Sequence, residues 1–273
     1  MQTNVVIIGA AGRMGQSLVR CISKKSVPGL KLVGAADLSS VPGQGLDIGT
    51  LAGTSPMDVK LTSNLPALVE EADLLIDFSF HTGIKERTEL IANHNKRVVI
   101  GTTGMSDDAK QSIEDAAQRI PILFAPNMSL GVNLLSALIE EAAAKLKGKG
   151  YDIEVTEMHH RRKLDAPSGT ALMLGEAAAR GSGLRLPQVA KHGRSGIAEN
   201  ERSDDEIGMH ALRGGDVVGD HTVMFATDGE MIELSHRATS RDTFAMGALR
   251  AAAWLADKPA GLYSMRDVLG LDG

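Results

Sequence analysis

A strand, a glycine-rich turn and a helix at the start of the chain constrain its fold more than any other feature. The apolar run 4–8 leads directly into Gly9, Gly12 and Gly15, and a helix is expected from about 14 to 23. A short apolar run that ends in glycine is typical of a strand buried on both faces. The pattern predicts that the chain opens with the first part of a β-α-β unit.

Strands and helices continue to alternate through the first half of the chain. Further strands are expected at 30–37, 72–79, 97–101 and 120–125, with helical stretches between the later ones at 83–95 and 106–118. Such an order favours a parallel sheet with helices on both faces. The first region is therefore predicted to be an α/β domain with a doubly wound parallel sheet.

The pattern changes after Asn127. A long helix is expected at 129–147, followed by strands at 151–159, 207–214, 217–227 and 230–238, with an Asp-Gly hairpin turn before the last strand. Strands joined by a tight hairpin pair in antiparallel fashion. We therefore expect a second, α+β domain with a mostly antiparallel sheet at 128–238. An alanine-rich helix at 242–256 is expected to return the chain to the first domain, which comprises 1–127 with 239–273.

The segment 181–206 is rich in glycine, arginine, serine and acidic residues. This composition predicts a long mobile loop. Such a loop is either a lid over a binding site or a plain surface insertion, and the residues favour neither.

Composition and charge exclude several classes of function. The net charge of −5 provides no overall field for nucleic acid, and an aromatic content of 3% leaves few platforms for stacking bases. The single cysteine, Cys21, cannot form an internal disulfide. No apolar run approaches the roughly 20 residues that span a bilayer, and the first residues lack the basic region of a signal peptide. We expect a cytoplasmic protein without membrane or nucleic-acid partners.

The glycine turn also predicts a nucleotide site. Glycines let backbone N–H groups approach a pyrophosphate, and a helix N-terminus adds partial positive charge, although Ala11 departs from the common G-x-G-x-x-G spacing. Asp37 ends the next strand, 22 residues after Gly15, where its carboxylate can accept hydrogen bonds from an adenosine ribose. Its charge would repel the 2′-phosphate of NADPH, whereas Arg13 could reach that phosphate. The expected cofactor is NADH, with use of NADPH left open.

Two later turns follow strands at the edge where open α/β sheets bind their ligands. Gly101-Thr102-Thr103-Gly104 follows the fourth strand, and Ala125-Pro126-Asn127-Met128 follows the fifth. Both are candidates for contacts with the nicotinamide half of a dinucleotide. Ordinary turn chemistry would explain either turn taken alone.

The segment from Glu157 to Ala171 carries the candidate chemical groups. Neighbouring residues of a strand face opposite ways, so one of His159 and His160 can serve as acid or base while the other contacts substrate. Lys163 can donate a proton or pair with a carboxylate. The N–H groups at the helix start 168–170 favour an anion. The segment predicts a site that binds an anionic substrate and moves protons.

At these residues the chain resembles the dihydrodipicolinate reductase family of the bacterial and plant lysine and diaminopimelate pathway. The most specific piece is Glu157-x-His159-His160-x-x-Lys163-x-Asp165-Ala166-Pro167-Ser168-Gly169-Thr170-Ala171, which matches the family signature throughout. The glycine turn, the turn 101–104 and Asn127 also fall where the family has them. The resemblance covers essentially the whole chain.

The resemblance implies a Rossmann-type domain joined to a domain for substrate binding and tetramerisation. It implies NAD(P)H-dependent reduction of (2S,4S)-4-hydroxy-2,3,4,5-tetrahydrodipicolinate, a cyclic dicarboxylate, to tetrahydrodipicolinate with loss of water. By the same resemblance His159 is the acid/base, Lys163 is the proton donor, and the dicarboxylate is bound by His160, Gly169 and Thr170. The residues implied to contact the dinucleotide are Gly9, Ala10, Ala11, Gly12, Arg13, Met14, Asp37, Gly101, Thr102, Thr103, Ala125, Pro126, Asn127 and Met128. Leu38 stands where some members have an arginine, which argues against strong use of NADPH.

Other classes of function are weighed against this one. A zinc site is disfavoured because the chain has no His-Glu-x-x-His motif and no cysteine cluster, and a serine hydrolase is disfavoured because no Gly-x-Ser-x-Gly motif occurs. A different nicotinamide-dependent dehydrogenase with the same two domains is a second enzyme hypothesis. A dinucleotide sensor, which binds the cofactor without turnover, is the non-enzymatic alternative.

Overall fold

The computed structural model describes residues 2–271 and divides the chain into two compact units. The first unit is Met1–Leu130 with Arg241–Gly273, and the second is Gly131–Ser240. These limits lie within three residues of the boundaries expected at 127/128 and 238/239. The first unit is therefore built from two separate stretches of chain.

The first stretch alternates strands with helices up to the turn that begins at Ala125. Its strands are β1 (Thr3–Ile8), β2 (Leu30–Ala36), β3 (Leu61–Thr62), β4 (Leu74–Asp77), β5 (Arg97–Ile100) and β6 (Pro121–Phe124). Its helices are α1 (Arg13–Ser23), α2 (Ile48–Leu51), α3 (Leu65–Glu71), α4 (Ile84–Asn93) and α5 (Asp107–Ala117). The two-residue strand β3 was not predicted, because two residues carry no recognisable period.

The second unit begins in α6 (Leu130–Leu146) and contains a five-stranded sheet. Its other helices are α7 (Gly169–Ser182) and α8 (Leu186–Val189). Its strands are β7 (Asp152–His159), β8 (Ala190–His192), β9 (Ile207–Arg213), β10 (Gly219–Thr227) and β11 (Glu230–Ala238). The chain then returns to the first unit with α9 (Asp242–Leu255), β12 (Gly261–Tyr263) and α10 (Met265–Leu269).

The first sheet is parallel throughout and has the order β12-β6-β5-β4-β1-β2-β3. Side chains of β1 alternate between two cores, because Val5 and Ile7 face one core while Val6 and Ile8 face the other. Helices α1 and α9 contribute to the first core, and α4 and α5 to the second. The predicted doubly wound parallel sheet is confirmed, and burial on both faces explains why its strands are continuously apolar.

The second unit is α+β as predicted, and its sheet is mixed: two of its strand pairs are antiparallel and two are parallel. The hairpin strands β10 and β11 are antiparallel, and β10 is also antiparallel to β7. Strand β9 runs parallel to both of its neighbours, β7 and β8. The reason is that α7 lies between β7 and β9 in the chain, and a helical crossover returns the chain in the same direction. A turn motif reports only on the two strands that it joins.

The prediction of a long loop at 181–206 is wrong in its first part. Helix α7 continues to Ser182, and α8 and β8 follow before 193–206, which has no regular structure. Gly181 lies inside α7, and a Cβ there would be 2.2 Å from the Glu140 carbonyl oxygen of α6. This glycine therefore permits close packing of two helices, whereas the composition of the segment 181–206 suggested a loop.

No helix within residues 2–271 is both long and apolar enough to cross a membrane.

Candidate active site

The buried face of strand β7 is apolar at its beginning and carries two ionisable side chains at its end. Ile153, Val155, Glu157 and His159 are buried in strict alternation, while the residues between them are half-buried. The first two side chains belong to the hydrophobic core of the second unit. The last two place a carboxylate and an imidazole on that same buried face, and the pair lies where the predicted chemical segment begins.

The Glu157 carboxylate, in a residue only 2% exposed, accepts four hydrogen bonds. His159 Nδ1 lies 2.6 Å from Oε2, and the backbone N–H of Ser168 donates to Oε1 across 3.0 Å. Arg213 of β9 donates to both oxygens, each at 2.8 Å. Burial alone would raise the pKa of Glu157, but the hydrogen bonds from Arg213, His159 and Ser168 outweigh burial and lower the pKa. Glu157 is therefore an anion at neutral pH.

A second buried histidine lies against this pair. The His221 ring of β10 meets the His159 ring edge-on, with centroids 5.1 Å apart, and its Nε2 is 3.1 Å from Ser168 Oγ. His221 lies opposite Glu157 in the sheet and opposite His236 of β11. Burial, with a smaller contribution from repulsion by His159, lowers the pKa of His221 to about 4. This ring is therefore neutral at pH 7 and serves as a hydrogen-bonding and packing partner.

Helix α7 begins at the same place. Ser168 is its N-cap, and the Ser168 hydroxyl accepts the backbone N–H of Ala171 across 3.1 Å. No acidic residue stands in the first turn of this 14-residue helix, so its partial positive charge is not offset there. Gly169 is exposed, and apart from its chain neighbours and the backbone of its own helix no atom lies within 4 Å of where its Cβ would be. Gly169 and Thr170 thus stand at a helix start that is open and electropositive.

Lys163 lies in the turn between β7 and α7. Its Nζ donates to both oxygens of Asp165, at 2.9 and 2.8 Å, and this hydrogen bond lowers the pKa of Asp165. Arg213 donates to the Asp165 backbone carbonyl across 2.6 Å, which connects this pair to Glu157. The Lys163 side chain thus forms an ion pair within its own turn. The half-buried His160 donates its backbone N–H to the Val217 carbonyl across 2.8 Å.

Three residues of this constellation were not assigned a role from the sequence: Glu157, Arg213 and His221. Glu157 was detectable, because a residue two positions before His159 in a strand shares its face. Arg213 and His221 come from strands more than fifty residues away, and no spacing in the sequence connects them to His159. Only the pairing of β7 with β9 and β10 brings them there.

The glycine turn of the first unit has the shape of a phosphate cradle. Gly9 has a φ of +79°, and a Cβ on Gly15 would lie 2.2 Å from the Gly9 carbonyl oxygen, so both positions require glycine. The buried Ala10 donates its N–H to the Ala36 carbonyl across 3.0 Å. Gly12 caps α1 without any side-chain hydrogen bond, and the first turn contains no acid. Backbone N–H groups and an uncapped helix start fit a pyrophosphate.

Several side chains that were predicted to contact a nucleotide lie around this turn. Arg13 is exposed at the first position of α1, followed by the half-buried Met14. The Asp37 carboxylate accepts the backbone N–H of Ala11 at 3.0 Å and that of Leu38 at 2.9 Å. A carboxylate has acceptor sites beyond these two, so it can still accept ribose hydroxyls.

The turn that follows β5 is anchored to the end of β4. Thr102 is buried and donates to the Ser79 carbonyl across 3.1 Å, while Thr103 is exposed. A Cβ on Gly101 would lie 2.3 Å from the Phe78 ring, so this aromatic side chain requires glycine there. Strands β1, β4 and β5 are parallel neighbours, so the segments that follow β4 and β5 lie at the same carboxyl edge of the sheet as the glycine turn. Thr102 therefore has a structural hydrogen bond, and Thr103 is the residue left facing outward.

The turn after β6 lies at the same edge. Ala125 is buried and donates its N–H to the Ile100 carbonyl across 3.1 Å, and Pro126 is exposed. The Asn127 side-chain oxygen accepts the backbone N–H of Ser129 across 2.9 Å. Met128 is buried under Gly247 of α9, where a Cβ would collide with the Met128 carbonyl. All the residues predicted to contact a dinucleotide thus belong to the first unit.

Among the described residues 2–271, no group of three or more His, Cys, Asp or Glu side chains is arranged to hold a metal ion.

Both halves of the chain match models of one protein family. Residues 3–128 match "Dihydrodipicolinate reductase, N-terminus", and residues 131–269 match "Dihydrodipicolinate reductase, C-terminus". The junction between the two matches coincides with the junction between the two compact units near Leu130.

Whole-chain relatives and a solved structure agree with this match. The 4-hydroxy-tetrahydrodipicolinate reductase of Anaeromyxobacter sp. (strain Fw109-5) is 50% identical, with 98% of each chain covered. That of Anaeromyxobacter dehalogenans (strain 2CP-1) is 47% identical, with 99% of each chain covered. A dipicolinate-bound dihydrodipicolinate reductase from Paenisporosarcina sp. TG-14 has 26% identity and a TM-score of 0.76, with 97% of this chain and 98% of that chain covered. The chain belongs to the dihydrodipicolinate reductase family.

Proposed function

We propose that this protein catalyses the reaction for which its family is named. It is an oxidoreductase that reduces (2S,4S)-4-hydroxy-2,3,4,5-tetrahydrodipicolinate to tetrahydrodipicolinate with loss of water, with NADH or NADPH as the hydride donor, in lysine and diaminopimelate biosynthesis. The observation that carries the proposal is the connection between His159 and the start of α7 through one carboxylate, that of Glu157. A proton-carrying ring and an anion-binding helix start are thereby held in one place.

The substrate is proposed to be a ring with two carboxylates. The relative from Paenisporosarcina was solved with dipicolinate, which is such a molecule. In this chain the open start of α7 suits one carboxylate, with the N–H groups and hydroxyl of Gly169 and Thr170 as donors. His160 is proposed as a further contact to the dicarboxylate. Several donors toward a dianion explain why the segment is rich in basic residues.

His159 and Lys163 are proposed to move the protons. Nicotinamide supplies the hydride when the nucleotide is bound. The 4-hydroxyl leaves as water together with a proton from the neighbouring ring carbon. Addition of hydride to the resulting unsaturated ring would leave negative charge, which Lys163 neutralises by donating a proton from Nζ. Asp165 pairs with Lys163 Nζ before substrate arrives. His159 acts as the acid/base through Nε2, since its Nδ1 is engaged by Glu157.

The nucleotide is proposed to bind at the carboxyl edge of the parallel sheet. Backbone groups of 9–14 would hold the pyrophosphate, and Asp37 would accept ribose hydroxyls. The turns 101–103 and 125–128 would contact the nicotinamide half. Because Asp37 is acidic and Leu38 is not basic, we propose a preference for NADH.

We further propose that the enzyme is a cytoplasmic homotetramer assembled through its second unit. The sheet of that unit carries exposed apolar side chains, including Leu212, Met231 and Ile232, which a partner subunit would cover. Analytical ultracentrifugation tests the oligomeric state directly. A monodisperse monomer would contradict the proposal.

The activity is tested by following NADH oxidation at 340 nm with the cyclic hydroxy dicarboxylate, and separately with an open-chain 2-oxo acid. The proposal expects turnover of the ring substrate only, with competitive inhibition by dipicolinate. Turnover of the open-chain acid instead would indicate a different dehydrogenase. Nucleotide binding without any turnover would indicate a sensor.

A further inference from the structure

The Glu157 side chain occupies a position where an apolar residue would be easier to bury. Ile153 and Val155 precede it on the same face of β7 and belong to the core. A carboxylate in that place loses its hydration and needs several donors to replace it. The fold provides four, and one of them is the ring proposed to exchange protons with substrate. The location of this anion calls for a role beyond packing.

The geometry restricts what the carboxylate can do to His159. Arg213 donates one hydrogen bond to each oxygen, which fixes the plane of the carboxylate and keeps it ionised. An ionised carboxylate only accepts hydrogen bonds, so His159 Nδ1, 2.6 Å away, has to be the donor. Because Nδ1 keeps its proton, Nε2 is the nitrogen that gains and loses a proton.

The surroundings of Nε2 agree with that assignment. Gly219 of β10 is the residue beside it, and a Cβ at Gly219 would lie 3.0 Å from His159 Nε2. The absence of a side chain there leaves room on the Nε2 side of the ring. The His221 ring lies close to the same point, with its Cε1 3.4 Å from that Cβ position, and its centroid is 5.1 Å from that of the His159 ring. The imidazole is thus held by its Nδ1 end and by packing, and glycine at position 219 keeps a side chain away from Nε2.

We propose that Glu157, held by Arg213, is a positioning residue that fixes the Nδ1–H tautomer and the orientation of His159 and ties this ring to the start of α7. The inference deepens the proposed function and rests on it for its kinetic consequences. Because Ser168 N–H binds the same carboxylate, one anion sets both the acid/base and the substrate-binding helix start. A carboxylate that orients a histidine in this way is a recurrent device in enzymes.

The tautomer is tested by NMR on protein labelled with ¹⁵N only in its histidines. The His159 signals are assigned as those missing from His159→Asn. The proposal expects His159 in the Nδ1–H form, or doubly protonated at lower pH. A neutral His159 in the Nε2–H form in the wild-type protein would overturn it. This measurement needs no substrate, so it determines the tautomer of His159 even if the proposed reaction is wrong.

Glu154→Gln is the matched control for Glu157→Gln. Glu154 is also on β7 and also binds a histidine and arginines, with His210 Nε2 at 2.6 Å and Arg194 at 2.8 Å, but it lies on the opposite face of the strand. We expect Glu157→Gln to change the His159 signals and Glu154→Gln to leave them as in the wild type. Equal changes in both variants would show a general effect on the sheet and would contradict the proposal.

Kinetics then separate positioning from a general structural role. Glu157→Gln is expected to lower kcat roughly 10- to 1,000-fold with an unchanged KM for NADH. In a His159→Asn background the same change should cost less than about threefold, because the ring through which Glu157 acts is gone. If the two losses multiply, Glu157 acts independently of His159 and the proposal fails. A wild-type enzyme without turnover would refute the proposed function and leave the tautomer result standing.

Discussion

The Asp37 carboxylate accepts the backbone N–H of Ala11 across 3.0 Å and thereby ties the end of β2 to the glycine turn. Asp37, which is proposed to accept hydrogen bonds from the ribose hydroxyls, therefore also supports the turn that is proposed to hold the pyrophosphate. Its second oxygen accepts the N–H of Leu38. Any substitution of Asp37 acts on the shape of the turn and on the charge near the ribose.

Asp37→Asn keeps one oxygen acceptor and removes the charge. We expect the ratio of Kd for NADH to Kd for NADPH to rise by about tenfold or more, because like charges brought together at a binding site cost on the order of 1 kcal/mol or more. Fluorescence titration with both nucleotides measures it. Asp73→Asn is the control, since Asp73 likewise accepts a backbone N–H, from Asn4, at the opposite edge of the sheet. A strong preference for NADPH in the wild-type protein would refute the role given to Asp37.

Lys163→Ala should lower kcat by about 10²- to 10⁴-fold, the usual contribution of a positioned general acid. The Kd for NADH should not change, because the residues proposed to bind the nucleotide belong to the other unit. Stopped-flow measurement of hydride transfer with saturating substrate checks the first expectation. Lys191→Ala, which removes an exposed lysine from β8, is the control. Turnover near the wild-type rate in Lys163→Ala would exclude this lysine as the proton donor.

Thr170→Val preserves the shape of the side chain and removes the hydroxyl. If that hydroxyl donates to a substrate carboxylate, its loss costs about 1.5 to 3 kcal/mol, so KM for the dicarboxylate should rise roughly 10- to 100-fold with a smaller change in kcat. Thr222→Val removes a hydroxyl that pairs with Ser235 on the sheet and should leave KM unchanged. An unaltered KM in Thr170→Val would remove this residue from the substrate site.

The buried His221 should make the second unit sensitive to acid. Burial lowers its pKa from 6.5 to about 4, so below pH 6.5 the unfolded chain takes up a proton that the folded protein does not bind. The free energy of unfolding should therefore fall by about 2 kcal/mol between pH 7 and pH 5 on account of this residue. Burial lowers the pKa of His236 as well, which adds to the fall. Glu157 has a lowered pKa and loses its contribution only at more acidic pH.

Urea unfolding of His221→Gln at pH 7 and pH 5 checks this expectation. The variant should lose most of the pH dependence, whereas His192→Gln, which replaces an exposed histidine, should keep it. A His221→Gln variant with the full pH dependence would mean that the ring is protonated in the folded protein.

Local patterns predicted the first unit well because its elements carry strong signals. Strands buried on both faces read as apolar runs, and the glycines at 9 and 15 are required by backbone geometry at those positions. The edge strands β3 and β12 were not predicted, because a strand of two or three residues is too short to show a recognisable hydrophobic period. The parallel direction of β9 was not predicted, because it depends on the path of the intervening chain, which no local sequence pattern records.

For the candidate active site, the sequence by itself identified a segment: two histidines, a lysine and a helix start that share one short stretch of chain. It also determined that Glu157 and His159 share a face, since alternation along a strand is a local property. Tertiary structure alone decided the partners, because Arg213 and His221 reach this place only through the pairing of β7 with β9 and β10. A buried carboxylate needs donors from several directions at once, and donors from several directions come from separate strands.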